Sequence, residues 1–333
     1  MRAEGTDRAG VSPDRPETAK AGEGPAPGPG TVPVVAVVGA TATGKSDLGV
    51  ALAGALGGEI VNADASQFYR GMDIGTAKLP AGERHGIPHH QLDVLDVTQE
   101  ASVAGYQESG RADLQTVRAR GQVPVVVGGS GLYVRALLDR LQIPPTDPEV
   151  RARWEARLDD EGVAALHTLL REQDPAAGAA IEPRNGRRIV RALEVIELTG
   201  QPFSATLPTR EFVAPTVLVG LRADREVLDA RIEQRAQRMW RDGLLEEVRE
   251  LVAQGLREGR TASRAVGYAQ ALRQLDGELT QDEAVQDTVV ATRRLARRQQ
   301  RWFGPDPRVV WLEHDAPDLV DRALQVVHDA ADD

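Results

Sequence analysis

The chain has 333 residues, 41% of them hydrophobic, with a formal net charge of -10 and no cysteine. That content supports a sizeable core, and the missing cysteine excludes disulfides, thiol nucleophiles and thiolate zinc sites together. No apolar run approaches the roughly 18 residues of a membrane span, so a cytoplasmic enzyme is expected, acting as a monomer.

Residues 1–32 are rich in Pro, Gly and Ala with mixed charge and lack an apolar secretory core. They read as a disordered tail. The apolar run Val34–Val38 then enters Gly39-Ala40-Thr41-Ala42-Thr43-Gly44-Lys45-Ser46, and Leu48, Leu52 and Leu56 follow at helical spacing. This is a strand, a phosphate loop and a helix. In the pattern G-x-x-x-x-G-K-[ST], backbone amides close around phosphate oxygens, the lysine reaches the outer phosphate and the hydroxyl meets Mg²⁺. The helix N-terminus adds its dipole. A second strand, Glu59–Asn62, leads to Asp64. Ligands of open α/β sheets bind outside the carboxyl ends of strands, so Asp64 is expected to face the phosphate loop; the plainer reading is a turn or N-cap carboxylate. The polar, glycine-broken stretch Ala65–Lys78 reads as a functional loop.

His89 and His90 are adjacent in a short strand and would point to opposite faces, with no third ligand spaced for them, so a histidine metal site is not expected. Tyr106 to Arg120 has a helical period, and Gln122–Val127 is a buried strand ending in a second glycine turn, Gly128-Gly129-Ser130-Gly131. From Pro144 to about Glu211 the texture becomes helical and charged, until the strand Thr216–Leu221 resumes the core, so this segment reads as an insertion. One long helix is expected from Glu226 to about Ala253, with Arg231 and Arg235 on one face. Another runs from Thr280 to Phe303, and Val309–Leu312 reads as a last strand. The fold class is α/β, a P-loop NTPase-like core whose parallel sheet is flanked by helices, plus a helical insertion domain. The expected divisions are a tail (1–32), the first part of the core (33–143), the helical insertion (144–212), the second part of the core with its basic helices (213–318), and a C-terminal helix or tail (319–333).

The acidic total argues against a nucleic-acid partner, but the charge is unevenly spread. Arg184, Arg187, Arg188 and Arg191 form one basic cluster, and Arg293, Arg294, Arg297, Arg298 and Arg301 form another, with few carboxylates within either. Such clusters are ordinarily solvated helix faces, a reading the scarcity of carboxylates weakens. The residues by themselves reach a phosphate-binding α/β enzyme with an RNA partner.

The ordered motifs resemble those of the tRNA dimethylallyltransferases: GATATGKS at Gly39–Ser46, NADASQFYRGMDIGTAK at Asn62–Lys78, HHQLDV at His89–Val94, VVVGGSGLY at Val125–Tyr133, DPEVRAR at Asp147–Arg153, RALEV at Arg191–Val195, RIEQR at Arg231–Arg235, SRAVGYAQAL at Ser263–Leu272 and TRRLARRQQRWF at Thr292–Phe303. The resemblance implies transfer of a dimethylallyl group from dimethylallyl diphosphate to the exocyclic N6 amine of the adenosine 3′ to the tRNA anticodon, assisted by Mg²⁺. It places Lys45 and Ser46 on the diphosphate and its metal, Thr41 beside them, Asp64 as general base and Arg235 in the active site. It places Asp64, Ala65, Ser66, Gln67, Ser130, Arg151, Arg187, Arg188, Arg191, Arg264, Gly267, Tyr268, Arg293, Arg297 and Arg298 against the tRNA anticodon stem-loop. Ala65 stands where the family often has serine, Ser130 replaces a usual threonine, and Arg297 stands where many members have lysine. The rival reading is a P-loop small-molecule or nucleotide kinase; no recognisable lid for phosphoryl transfer follows the loop, and the arginine clusters would be surplus to it. A non-catalytic, nucleotide-dependent RNA-binding protein would leave Asp64 unexplained.

Overall fold

The computed structural model describes residues 32–206 and 210–332; the expected N-terminal tail lies outside them except for Val32, which is buried and whose carbonyl accepts from the Arg118 Nε. Six strands form one parallel sheet in the order β3-β2-β4-β1-β5-β6. They are β1 Val34–Gly39, β2 Glu59–Asn62, β3 His89–His90, β4 Pro124–Val127, β5 Thr216–Arg222 and β6 Val309–Glu313. β1, β2 and β4 are buried along their whole length, which explains their unbroken apolar runs. β4 pairs with both β1 and β2, so the carboxyl ends of these three strands share one edge.

Helices cover both faces. α1 (Lys45–Ala55) and α12 (Leu319–Asp332) pack on one side, where Leu48, Leu52, Ala323 and Val327 meet Val35, Val37 and Val219. α2 (Val103–Ala119) and α3 (Gly131–Leu138) lie on the other. α2 starts three residues before the expected Tyr106 because the Ser102 side chain caps the Gly105 amide. The insertion is α4 (Pro148–Glu161), α5 (Val163–Gln173), α6 (Pro175–Ala180) and α7 (Gly186–Thr199), with a core of its own from Trp154, Leu166, Leu170, Ile189 and Leu193. Its ends are clasped: Asp139 bridges Phe212, and the Arg140 amide donates to the Glu211 carbonyl at 2.7 Å.

The expected helix from Glu226 to Ala253 is two helices, α8 (Arg225–Arg241) and α9 (Leu244–Ala253). Gly243, at φ 103°, takes a left-handed conformation that ends the first run and turns the chain into the second. α10 (Tyr268–Leu275) and α11 (Gln281–Phe303) follow, the latter opened by a Thr280/Glu283 capping box. Together α8–α11 bury a third core with Tyr69, Met72 and Val97, which fixes the 65–101 region against them.

Candidate active site

The carboxyl ends of β1, β2 and β4 open into a cavity of about 300 Å³ walled on its far side by α8 and α11. The loop after β1 contributes Thr41, the loop after β2 Asp64 to Ser66, and the loop after β4 Ser130. Asp64 therefore faces the phosphate loop, as its strand-end position predicts. It is also a cap: its Oδ1 accepts from the Ser66 amide at 3.1 Å and the Ser66 hydroxyl at 2.6 Å. Both readings hold at once, and no donor among the described residues takes Oδ2. The Ala65 amide donates to the Ser130 Oγ at 3.2 Å, so the two strand-end loops are tied, and Ser66 holds the acid in place of the hydroxyl that Ala65 lacks.

In the phosphate loop, Ala42 sits at φ 66°, a conformation L residues rarely adopt, and the Thr43 hydroxyl donates to the Ala40 carbonyl at 2.9 Å. Lys45 Nζ donates to the same carbonyl at 2.6 Å. Burial pushes the Lys45 ammonium down to about 8, Asp64 raises it in part, and Arg235 lowers it again. Arg235 reaches in from α8: Nη1 donates to the Thr41 hydroxyl at 3.3 Å and Nη2 to the Thr76 carbonyl at 3.1 Å. Arg231, one turn earlier, is instead exposed beside His314. Lys45 and Arg235 thus place two cations within electrostatic reach of one carboxylate.

Two further residues organise the site. Gln299 of α11 accepts from the Thr41 amide at 2.8 Å, so the helix expected to carry RNA contacts also grips the phosphate loop. Glu247 of α9 accepts from three successive amides, Asp73 at 3.1 Å, Ile74 at 2.8 Å and Gly75 at 3.4 Å, and from the Tyr268 hydroxyl at 2.5 Å. That fixes the turn whose next carbonyl, Thr76, receives Arg235. No sequence pattern singled out Glu247; a glutamate in the first turn of a helix is unremarkable until the loop it serves is placed.

The residues expected on RNA divide into three groups. Arg264 lines the cavity and is exposed; Arg187, Arg188, Arg297 and Arg298 are exposed and make no ion pair among the described residues. Arg151, Arg191 and Arg293 pair with carboxylates that lie outside the two basic clusters, which corrects the expectation that these arginines are free for RNA. Arg151 and Arg191 both bond the fully buried Glu194, at 2.6 and 2.9 Å, and Arg191 also donates to the Pro144 and Pro145 carbonyls. Burial works against the Glu194 charge, but those arginines outweigh it and hold the carboxyl below its usual range. Arg293 pairs with Asp229 and Glu233. Tyr268 and Gly267 are also corrected: both are buried, and the Tyr268 ring lies against Gly75 with its hydroxyl on Glu247, so neither residue is available to RNA as expected. Gln67 spends its amide on the Thr76 carbonyl at 3.2 Å. His90 bonds Glu59 at 2.6 Å, and His89 bonds the Ile87 carbonyl.

Among the described residues no helix is long and apolar enough to cross a membrane. The IPP transferase family model matches residues 67–306. A tRNA dimethylallyltransferase from Kineococcus radiotolerans is 61% identical over 303 residues, covering 89% of this chain and 96% of that protein. The crystal structure of the full-length tRNA isopentenylpyrophosphate transferase from Bacillus halodurans is 37% identical with a TM-score of 0.66, covering 90% of this chain and 97% of that one. A eukaryotic dimethylallyltransferase captured acting on tRNA shares the fold at 24% identity and a TM-score of 0.77, covering 90% of this chain and 79% of that one. With most of its length matched by the family model and by full-length relatives, the chain belongs to the IPP transferase family.

Proposed function

We propose that this cavity transfers a dimethylallyl group from dimethylallyl diphosphate to the N6 amine of the adenosine 3′ to the anticodon of tRNA. The observation that carries the reading is Asp64: Oδ1 is locked by Ser66, Oδ2 takes no donor among the described residues, and the residue lines the cavity together with Arg235, with the Lys45 ammonium within electrostatic reach. A carboxylate over a phosphate loop can also take a hydroxyl proton in phosphoryl transfer; membership of the IPP transferase family favours alkylation of an aromatic amine here.

In the proposed reaction the allylic C1–O bond breaks, the diphosphate leaves with the electron pair, and N6 attacks C1. The N6–H becomes acidic only as the new bond forms, and Asp64 Oδ2 takes that proton. Lys45 exchanges the Ala40 carbonyl for a phosphate oxygen, and Arg235, anchored on Thr41 and Thr76, spreads the developing charge with the loop amides. Ser46, half-buried at the start of α1, fits Mg²⁺, which takes few protein oxygens and completes its shell from phosphate and water. Bound there, the ion would neutralise charge on the leaving diphosphate. The acceptor base must leave its stack to enter, and exposed arginines at the mouth would hold the loop's backbone. We take one chain as the acting unit, and a tRNA substrate supports the cytoplasm as its place.

The test is mass spectrometry of nucleosides from tRNA incubated with the protein, Mg²⁺ and either dimethylallyl diphosphate or ATP. The reading requires N6-dimethylallyladenosine with the first donor alone. ATP hydrolysis without allyl transfer would overturn it.

A further inference from the structure

Trp302, in the last turn of α11, is 44% exposed, whereas Trp154 and Trp240 are 8% and 7% exposed. The ring is held by one side. It lies so close to Gly131 that a β-carbon there would stand 2.1 Å from Cδ1, so the turn after β4 is shaped around it. Its position is set by two cavity-lining neighbours: Ser130 precedes Gly131, and Gln299 lies one helical turn before Trp302. The ring therefore lies beside cavity-lining residues, and it also lines a small pocket with Val134, Leu138, Phe212 and Arg308.

Its surroundings are basic. Arg294, Arg297, Arg298 and Arg301 are exposed and make no ion pair among the described residues. Spaced three and four apart, they form one stripe along α11 that ends at Trp302. Leu132, 43% exposed in the first turn of α3, adds apolar surface next to Gly131. An exposed aromatic is often a protein contact, but a second copy of this chain would bring the same four cations against themselves. A base does the opposite, since its phosphate meets the arginines while its face meets the ring, the combination that binds single-stranded nucleic acid.

We propose that Trp302 is a stacking platform for an unpaired RNA base, the neighbour of the base that enters the cavity. The site rests on the tRNA reading and adds to it a contact that reads a π-face rather than a phosphate. It lets the loop stay ordered on the protein after the acceptor base has been withdrawn from its stack, because the exposed face of the remaining neighbour is covered by indole.

The experiment uses the full chain and an anticodon stem-loop. Trp302→Ala is expected to weaken binding about 5- to 150-fold, the range for losing one base–aromatic stack, and Trp302→Phe to retain most of the affinity. Making each loop base that flanks the acceptor adenosine abasic in turn should reveal one position at which Trp302→Ala costs nothing further. Tryptophan emission should be quenched on binding and the change should shrink in Trp302→Phe, a variant that keeps the packing on Gly131. Equal affinities for wild type and Trp302→Ala, or the same loss on every abasic stem-loop, would overturn the platform. A wild-type chain that binds no stem-loop at all would instead overturn the tRNA reading itself.

Discussion

Lys45 carries a cost that the free protein bears for its ligand. Its ammonium is pushed below the ordinary 10.5 to about 8 by burial, so the folded chain binds that proton less tightly than the unfolded chain. The resulting destabilisation is fully present below pH 8 and is relieved as the pH rises from about 8 towards 10.5. Lys45→Met is therefore expected to raise the melting temperature of the ligand-free protein at pH 7 by a few degrees, with the gain shrinking above pH 8, as calorimetry across pH would record. The same group sets an alkaline limb: kcat/KM for the diphosphate donor should fall as pH rises through about 8, when the cation that receives the phosphate is lost. A donor profile flat to pH 10 would remove Lys45 from that role. At this scale the sequence was informative where a residue's chemistry is tied to its own motif, as for Lys45 and Asp64. It was not informative where identity is generic and position decides, as for Glu247 and Gln299, whose backbone-amide partners lie 172 to 258 residues away.

Elements explain why arginines that looked alike in the sequence do different work. α7 presents Arg187 and Arg188 outward, while one turn on Arg191 joins Arg151 of α4 around the buried Glu194. Arg187→Ala with Arg188→Ala is expected to weaken stem-loop binding at low salt and leave the melting temperature within about a degree, since exposed charges contribute little to stability. Arg151→Ala should do the reverse, costing about 1–3 kcal/mol in a denaturant titration by stripping a hydrogen-bond partner from a buried carboxylate. Swapped outcomes would reverse the assignment. α9 acts through a loop. Glu247→Ala frees three amides of the turn that presents Thr76 to Arg235, and kcat/KM for the donor should drop about tenfold or more. Glu247→Gln should recover part of that loss, and the effect should be much reduced in an Arg235→Ala background, because the two act on one contact. Full additivity in that cycle would leave Glu247 with a purely structural role. The break at Gly243, missed by a helical period that continues across it, gives α9 the direction that brings Glu247 to this turn.

At the scale of the whole molecule, the β-α alternation and the unbroken apolar runs of β1, β2 and β4 made a parallel sheet legible, together with the edge at which ligand chemistry collects. The order β3-β2-β4-β1-β5-β6 was not legible, because pairing between distant strands leaves no trace in local pattern. Nor was the core in which α8–α11 pack beside the phosphate loop and turn an open sheet edge into a walled cavity with an open mouth. The insertion's clasped ends followed from continuity of the core on either side of it. All of this converges on the Asp64 carboxylate, which lines that cavity and whose Oδ2 takes no donor among the described residues. The most direct measurement is a single-turnover rate for the Asp64→Ala variant with donor and stem-loop both saturating, beside the stem-loop Kd. Proton removal by Asp64 predicts a rate about 10²–10⁴-fold below wild type with Kd little changed. A variant that alkylates at nearly the wild-type rate would contradict it.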